Sequence, residues 1–356
     1  MFNFNKPLRP RGLGHLPFVR GGNYPLLTKE GIKGEVLKKI FSNKRIIFAG
    51  GTDWSVEFLN LLCQEGFNVI GVIVPPDSKK GRGQKAGSHV LKIAAKKSGL
   101  PVFQPEKLND PGFLREFKQI MPDLVVVVAY GKLFPKAILA IPPLGFINFH
   151  PSLLPKLRGP SPIASAILEG HKVTGVSIMK LGEGMDDGPV LAQKAVKIDP
   201  RETIVTLTRK LVRLGKRMLP DILAKYLEGE IIPKPQAEKG VTICKIIKKE
   251  NGRINWSSET ATQIDRKVRA LNPQFKTFTF LEKNNKKLRV NILESAGTRR
   301  GAFLPGQYNL IDNNLATGTK EDLLLVSKLQ VEGKKPISAE DFVRGYGGVD
   351  NKFFLV

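Results

Sequence analysis

Lys44-Arg-Ile-Ile-Phe-Ala-Gly-Gly51 is a short apolar run ended by two glycines, and the hydrophobic period changes after it. Across Ser55–Glu65 the apolar residues Val56, Leu59, Leu61 and Leu62 recur at roughly helical spacing, so the passage reads strand, turn, helix. The alternation continues outward. Asn68–Val74, Pro101–Gln104 and Leu144–His150 read as strands, and Leu124–Ala129 as a fully buried one, with helices expected at Val90–Ser98, Pro111–Met121 and Ser161–Glu169. Such alternation implies an α/β fold, a Rossmann-like, mostly parallel sheet with helices on both faces. Thr203–Glu228 is the longest helical stretch, and a break is expected near Pro220, which lacks the N–H that an interior turn requires.

From Gly229 the composition changes. Ile231-Ile-Pro-Lys-Pro-Gln236 is a proline-stiffened connector, and beyond Trp256 a helical segment, Thr260–Leu271, precedes β-rich pieces at Thr277–Leu281, Lys287–Ile292 and Asp322–Val326. These pieces read as a small antiparallel, OB-like barrel. The expected division is a basic N-terminal extension (1–44), an α/β domain (45–229), a linker (230–250), the barrel (251–345) and a tail (346–356).

The chain of 356 residues carries a formal charge of +25, which points to a polyphosphate partner such as RNA. The excess is spread, about +8 in Met1–Arg45, about +9 in Ile46–Gly240 and about +8 in Val241–Val356, so a basic tail does not explain it. Cys63 and Cys244 stand far apart in no ligand-like spacing, which fits packing residues in a reducing compartment rather than a disulfide framework or a zinc site. No apolar run approaches a membrane span, and the N-terminus lacks the apolar core of a secretory signal, so a cytoplasmic protein without a membrane partner is expected. An organellar matrix is the alternative if the N-terminal extension is a transit peptide. Pro7, Pro10, Pro17 and Pro25, with no serine before Lys29, fit an amphipathic targeting helix poorly.

Gly50-Gly51 invites a dinucleotide-binding reading, but Thr52-Asp-Trp54 follows instead of the remaining spaced glycines. A tight turn capped by Thr52 or Asp53 is the better reading. The chemistry lies further on. Asn148 and His150 alternate onto one face at the carboxyl end of a strand, where open α/β sheets place their ligands. The glycine-punctuated Gly182-Glu-Gly-Met-Asp-Asp-Gly188 follows the strand-like Thr174–Met179 and brings Asp186 and Asp187 toward the same sheet edge. Either carboxylate could orient and charge the imidazole, or simply cap backbone N–H groups in a solvated turn.

Asn148-Phe-His-Pro-Ser-Leu-Leu-Pro-Lys-Leu-Arg-Gly-Pro-Ser-Pro-Ile163, with Met185-Asp-Asp-Gly188 downstream, resembles the Asn, His and Asp signature of the 10-formyltetrahydrofolate-dependent formyltransferases. The likeness runs from about Arg45 to the C-terminus through Gly81-Arg-Gly83, Gly99-Leu-Pro-Val-Phe-Gln-Pro105, Val126-Val-Val-Ala-Tyr-Gly131, Gly252-Arg-Ile-Asn-Trp256 and Arg269-Ala-Leu-Asn-Pro273. It is greatest to the members that act on methionyl-tRNA.

The resemblance implies Asn148, His150 and Asp186 as catalytic residues. Asn148 and a protonated His150 would stabilise the oxygen of a formyl carbon under attack, and Asp186 would support the imidazolium and relay the proton lost by an amine. It further implies 10-formyltetrahydrofolate as donor, held along Ser152, Leu153, Leu154, Pro155, Tyr130 and Gly131, with no metal. The acceptor would be initiator methionyl-tRNA, met by the loop between Pro75 and His89 through Arg82 and Lys85. That loop departs from the family pattern at Ser78-Lys-Lys80 and Ala86-Gly-Ser88. Lys245, Lys248, Lys249, Arg253, Lys286, Lys287 and Arg289 of the barrel would contact RNA phosphate, Trp256 would be core, and a monomer is expected. The rival readings are a sugar-nucleotide N-formyltransferase, a 10-formyltetrahydrofolate hydrolase and a non-catalytic RNA-binding module.

Overall fold

A computed structural model of the chain describes residues 43–80, 85–87, 89–283, 285–346 and 354–355. Its first half runs β1 (Ile46–Gly50), α1 (Asp53–Gln64), β2 (Val69–Ile73), the paired strands β3 (Ser78–Lys80) and β4 (Lys85–Gly87), α2 (Val90–Lys97), β5 (Val102–Phe103), α3 (Pro111–Ile120) and β6 (Leu124–Val128). Then come α4 (Lys136–Leu139), β7 (Phe146–His150), α5 (Pro162–Leu168), β8 (Val173–Lys180), β9 (Val190–Lys197) and α6 (Ile204–Leu227). The seven-stranded sheet has the order β5-β2-β1-β6-β7-β8-β9. The described residues form two compact units, one made of those up to Asn148 with Leu219–Ile232, the other of Phe149–Met218 with those from Pro233 onward.

In the first unit β1 is buried at every residue and pairs in parallel with β2 on one side and β6 on the other. The chain therefore reverses its direction of travel across the sheet at β1, and the crevice beyond the carboxyl ends of β1 and β6 is the switch point of an open α/β sheet. The turn leaving β1 is tight for a packing reason. A Cβ on Gly50 would lie 2.8 Å from the Val128 carbonyl oxygen and from the Ser55 Cβ. Ser55 Oγ donates to that carbonyl at 2.7 Å, and Thr52 caps α1.

The helix α6 corrects the sequence expectation, because it continues through Pro220 without a break. Leu207, Leu211, Leu219, Leu223 and Leu227 recur every fourth residue and are all buried. Gly215 completes the series where a Cβ would collide with the Phe149 ring. An interior proline costs about 3 kcal/mol. Each buried leucine contributes about 1.5–3 kcal/mol, so the stripe outweighs it.

In the second unit β8 and β9 are antiparallel. After a 3-10 turn at Lys249–Gly252 come α7 (Ala261–Leu271), β10 (Thr277–Lys283), β11 (Lys286–Arg299), β12 (Tyr308–Ile311), β13 (Asn314–Gly318), β14 (Leu323–Val331), β15 (Ile337–Ser338), α8 (Ala339–Tyr346) and β16 (Phe354–Leu355). The antiparallel order β12-β13-β14-β11-β10-β16, with β15 beside β14, is a half-barrel. Three register shifts between Ile292 and Gly297 let the long β11 bend. The Phe354 N–H donates to the Gly306 carbonyl at 2.8 Å, joining β16 to the residues just before β12. Trp256, Ile264, Val290, Tyr308, Leu324, Phe342 and Phe354 fill the core. Trp256 is fully buried and donates from Nε1 to Thr279 Oγ1 at 2.9 Å, so it is a core residue.

Candidate active site

His150 is the last residue of β7 and only 4% exposed; Asn148, two residues earlier on the same strand, is also buried. The imidazole Nε2 lies 3.0 Å from the Leu157 carbonyl oxygen. A carbonyl can only accept, so Nε2 carries the hydrogen. Nδ1 faces Asp186 Oδ2 at 3.5 Å, longer than a hydrogen bond. Burial pushes the imidazole below its ordinary value, while the Asp186 charge and the Leu157 carbonyl pull the other way. Burial is the larger effect, so the resting ring favours its neutral form.

Asp186 is itself held by the backbone. Its Oδ2 accepts from the Gly159 N–H at 2.8 Å, and its φ of 49° lies in the left-handed region. Asp187 turns the other way: a Cβ on Gly182 would stand 2.5 Å from Asp187 Oδ1, so the loop glycines fit around this second carboxylate. Of the two adjacent aspartates, Asp186 faces the imidazole. Gly159, at φ 110°, leaves no room for a Cβ, which would lie 2.8 Å from the Cys244 carbonyl oxygen.

Several positioning groups were not singled out by the sequence. Gln236 Nε2 donates to the Asp186 and Gly188 carbonyls at 2.8 and 2.7 Å, and Gln236 Oε1 accepts from both Nε and an Nη of Arg158 at 3.0 and 2.8 Å. The Leu157 N–H donates to Thr242 Oγ1 at 2.8 Å, and the Cys244 N–H to the Arg158 carbonyl at 2.8 Å. The proline-stiffened connector is thus also a brace for the segment that carries the Leu157 carbonyl and the Gly159 N–H. Cys244 packs there as expected. Cys63 does not: it sits on the solvent side of α1 and is exposed, a correction to its reading as a packing residue.

The Ser152–Pro155 turn is fixed from within. Ser177 Oγ donates to the Ser152 carbonyl at 2.6 Å and accepts from the Leu154 N–H at 3.1 Å; Gln193 Nε2 donates to the Leu154 carbonyl at 2.7 Å. Ser152 Oγ donates to the Lys156 carbonyl at 2.6 Å. Those polar groups are occupied within the turn. In the first unit the Tyr130 hydroxyl is buried with no hydrogen-bond partner among the described residues, and burial pushes its pKa up to about 12. The next residue, Gly131, has φ 79°.

Of the candidate RNA contacts, Arg82 and the side chain of Lys85 lie outside the described residues. Lys245, Lys248, Lys249, Arg253, Lys286 and Lys287 are exposed, and Arg289 is half-buried. Arg289 stacks 3.6 Å over the Phe278 ring, while Lys287 and Arg253 lie 4.4 and 5.9 Å from the centroid of Phe280. Among the described residues, no group of three or more His, Cys, Asp and Glu side chains could hold a metal ion.

Two family models match the chain: formyl transferase over residues 44–223, and formyl transferase, C-terminal domain, over 246–347. A methionyl-tRNA formyltransferase of Chloroflexus aggregans is 40% identical over 306 residues, covering 85% of this chain and 97% of that protein. One from Myxococcus xanthus is 39% identical over 306 residues, covering 86% and 96%. Among solved structures, the sugar 3N-formyl transferase WlaRD, crystallised with dTDP and 5-N-formyl-THF, superposes with a TM-score of 0.58 at 17% identity, covering 82% of this chain and 99% of that one. HypX of Aquifex aeolicus in complex with tetrahydrofolic acid gives 0.56 at 16%, covering 88% and 51%. These two likenesses speak to the fold.

Proposed function

The chain belongs to the formyl transferase family, and from that premise we propose that it moves a formyl group from 10-formyltetrahydrofolate to the amino group of initiator methionyl-tRNA. The observation that carries the chemistry is a buried imidazole with one nitrogen tied to the Leu157 carbonyl and the other turned to Asp186. The substrate assignment is supported by relatives at about 40% identity along nearly their whole length, and by the +25 charge.

The bound folate supplies an activated formyl group on a nitrogen that is a weak base and a good leaving group. The chain's residues do the rest. As the amine nitrogen bonds to the formyl carbon, negative charge grows on the formyl oxygen, and the Asn148 amide donates to it. One such donor is worth about 3–4 kcal/mol in the barrier. The neutral His150 Nδ1 takes the proton the amine loses, directly or through water, and Asp186 stabilises the resulting imidazolium. His150 then returns the proton to the departing nitrogen as the old carbon–nitrogen bond breaks, which restores the neutral ring. Proton transfer of this kind contributes on the order of 10²–10⁴ in rate. The Tyr130 hydroxyl, the Gly131 turn, Leu153, Leu154 and Pro155 with the braced Ser152 line the folate, and the cations Lys245, Lys248, Lys249, Arg253, Lys286, Lys287 and Arg289 meet RNA phosphate. The protein acts as a monomer in a reducing compartment, the cytoplasm or an organellar matrix, without a metal.

The test is a three-way assay with 10-formyltetrahydrofolate. Formyl-methionine forming with methionyl-tRNA, and no product with an amino-sugar nucleotide or without acceptor, is the expected result. Product on the sugar, or donor consumption without any acceptor, overturns the assignment.

A further inference from the structure

Three residues around the His150 imidazole keep a backbone conformation that side chains avoid. Leu157, whose carbonyl meets Nε2, has φ 56°; Gly159, whose N–H holds the Asp186 carboxylate, has φ 110°; Asp186 itself has φ 49°. A leucine in the left-handed region costs about 1–3 kcal/mol and stays there only where its surroundings hold it.

What holds Leu157 comes from a distant part of the chain. Its N–H donates to Thr242 Oγ1, 85 residues further on. Beside that bond the Thr242 carbonyl accepts from the Arg158 N–H at 2.9 Å, and the Thr242 N–H reaches the Pro155 carbonyl at 3.3 Å. The Leu157 side chain is buried in one cluster with Ala166 and Cys244. Cys244 Sγ accepts from the Ser161 N–H at 3.2 Å and donates weakly to the Leu157 carbonyl at 3.8 Å, so that carbonyl serves both the thiol and the imidazole. Gln236 holds the Asp186 carbonyl from the other side. None of these bonds goes to the imidazole itself, yet the ring depends on them. A neutral imidazole has two tautomers, and only the one with its hydrogen on Nε2 leaves Nδ1 an unshared pair that can take a proton. The Leu157 carbonyl selects that tautomer, because it can only accept. Were Leu157 to relax to an ordinary conformation, its peptide plane would rotate and the carbonyl would leave Nε2.

We infer that Thr242 and Gln236 are positioning residues for the formyl transfer: they keep Leu157 and Asp186 in their left-handed backbone conformations, and through the Leu157 carbonyl they select the His150 tautomer that can act as a base. The inference rests on the proposed function for its effect on turnover. Its effect on the tautomer is independent of any substrate.

Kinetics and nitrogen-15 NMR of His150 in the full chain test it together. Thr242→Val keeps the shape of the side chain and removes the acceptor from the Leu157 N–H; Thr242→Ser keeps the hydroxyl. Thr242→Val is expected to lower kcat about ten- to a hundredfold with the KM for each substrate nearly unchanged, and Thr242→Ser to recover most of the loss. In a His150→Ala background, Thr242→Val should lower the residual rate by less than about twofold. The NMR spectrum of Thr242→Val should show part of the neutral ring with its hydrogen on Nδ1, and a His150 pKa below that of the wild type, because the lost carbonyl contact is one that raises it. Gln236→Leu, acting from the Asp186 side, should likewise lower kcat with KM kept, and it decides the matter if Thr242→Val does not fold. An unchanged kcat, the same loss in the His150→Ala background, or a ring that keeps its hydrogen wholly on Nε2 in Thr242→Val overturns the inference and leaves the proposed function standing. A wild-type protein inert toward methionyl-tRNA overturns the proposed function, while the tautomer in Thr242→Val still decides what Thr242 does.

Discussion

Two acidic side chains in the same unit, the buried Asp265 and the partly buried Asp186, are held in opposite ways. Asp265, on α7, is surrounded by donors: Arg201 Nη1 at 2.8 Å, Ser295 Oγ at 2.6 Å and Arg269 Nε at 2.9 Å. Burial alone would raise its pKa, but the Ser295 hydrogen bond and the two arginine charges hold it below the usual carboxylate range. Arg269 also donates to the Glu202 carbonyl at 2.8 Å, and Arg201 bonds the Ser295 carbonyl. The group has one protonation state, and it ties the Arg201–Glu202 turn after β9 to α7 and β11. At Asp186 the arrangement is left incomplete. Among the described residues the carboxylate accepts one backbone hydrogen bond, from the Gly159 N–H, and faces the His150 Nδ1 3.5 Å away, too far for a hydrogen bond. A fully paired charge fixes structure; a pair one proton short can take that proton during a reaction.

The comparison can be broken from either side. His150→Ala should lower turnover by roughly 10²–10⁴ while leaving tRNA binding within about twofold, as read by single-turnover rates and filter binding. Equal loss of both would make His150 structural. Asp265→Ala, which leaves the largely buried Arg269 charge without its carboxylate, should cost about 3 kcal/mol in denaturant unfolding, the low end for a broken buried pair because Arg201 is half-exposed and Arg269 keeps its bond to the Glu202 carbonyl. A loss under about 1 kcal/mol would show that the arginines find other partners. Gly215→Ala drives a methyl into the Phe149 ring behind the strand that carries His150. It should cost about 1–3 kcal/mol and lower kcat with it; a stability loss with kcat intact would show that the strand tolerates the push.

The smallest effect concerns pH. Activity requires the neutral ring, so the rate falls as pH drops through the His150 pKa, and that limb should lie below the ordinary imidazole value near 6.5. Asp186→Asn removes a charge that raises this pKa, so the limb of the remaining activity should move further toward acid. A move toward neutral pH would mean that Asp186 does not act on the ring electrostatically.

Much of this was legible in the residues. The runs Ile46–Gly50 and Leu124–Val128 are apolar because both sheet faces are covered, and such strands need no partner to be read. Val190–Lys197, an edge strand with half of its residues exposed, mixes lysine and alanine with valine and shows no period. In Thr277-Phe-Thr-Phe-Leu281 the strand is legible but its faces are not, since Thr277 and Thr279 are buried while Phe280 is only half-buried beneath the cations of Lys287 and Arg253. At the site, His150 and Asp186 stand out as side chains in a motif. The Leu157 carbonyl and the Gly159 N–H are backbone groups with no signature, and Gln236 lies in a stretch whose prolines announce only a connector.

The protonation state of His150 is the point on which the chemistry turns, and nitrogen-15 NMR of the imidazole across pH, in the free protein, reads it directly. A neutral ring at pH 7 with its hydrogen on Nε2, titrating below the ordinary histidine value, is the expected spectrum. A ring already doubly protonated at pH 7, or a neutral ring with its hydrogen on Nδ1, would contradict the role assigned to it.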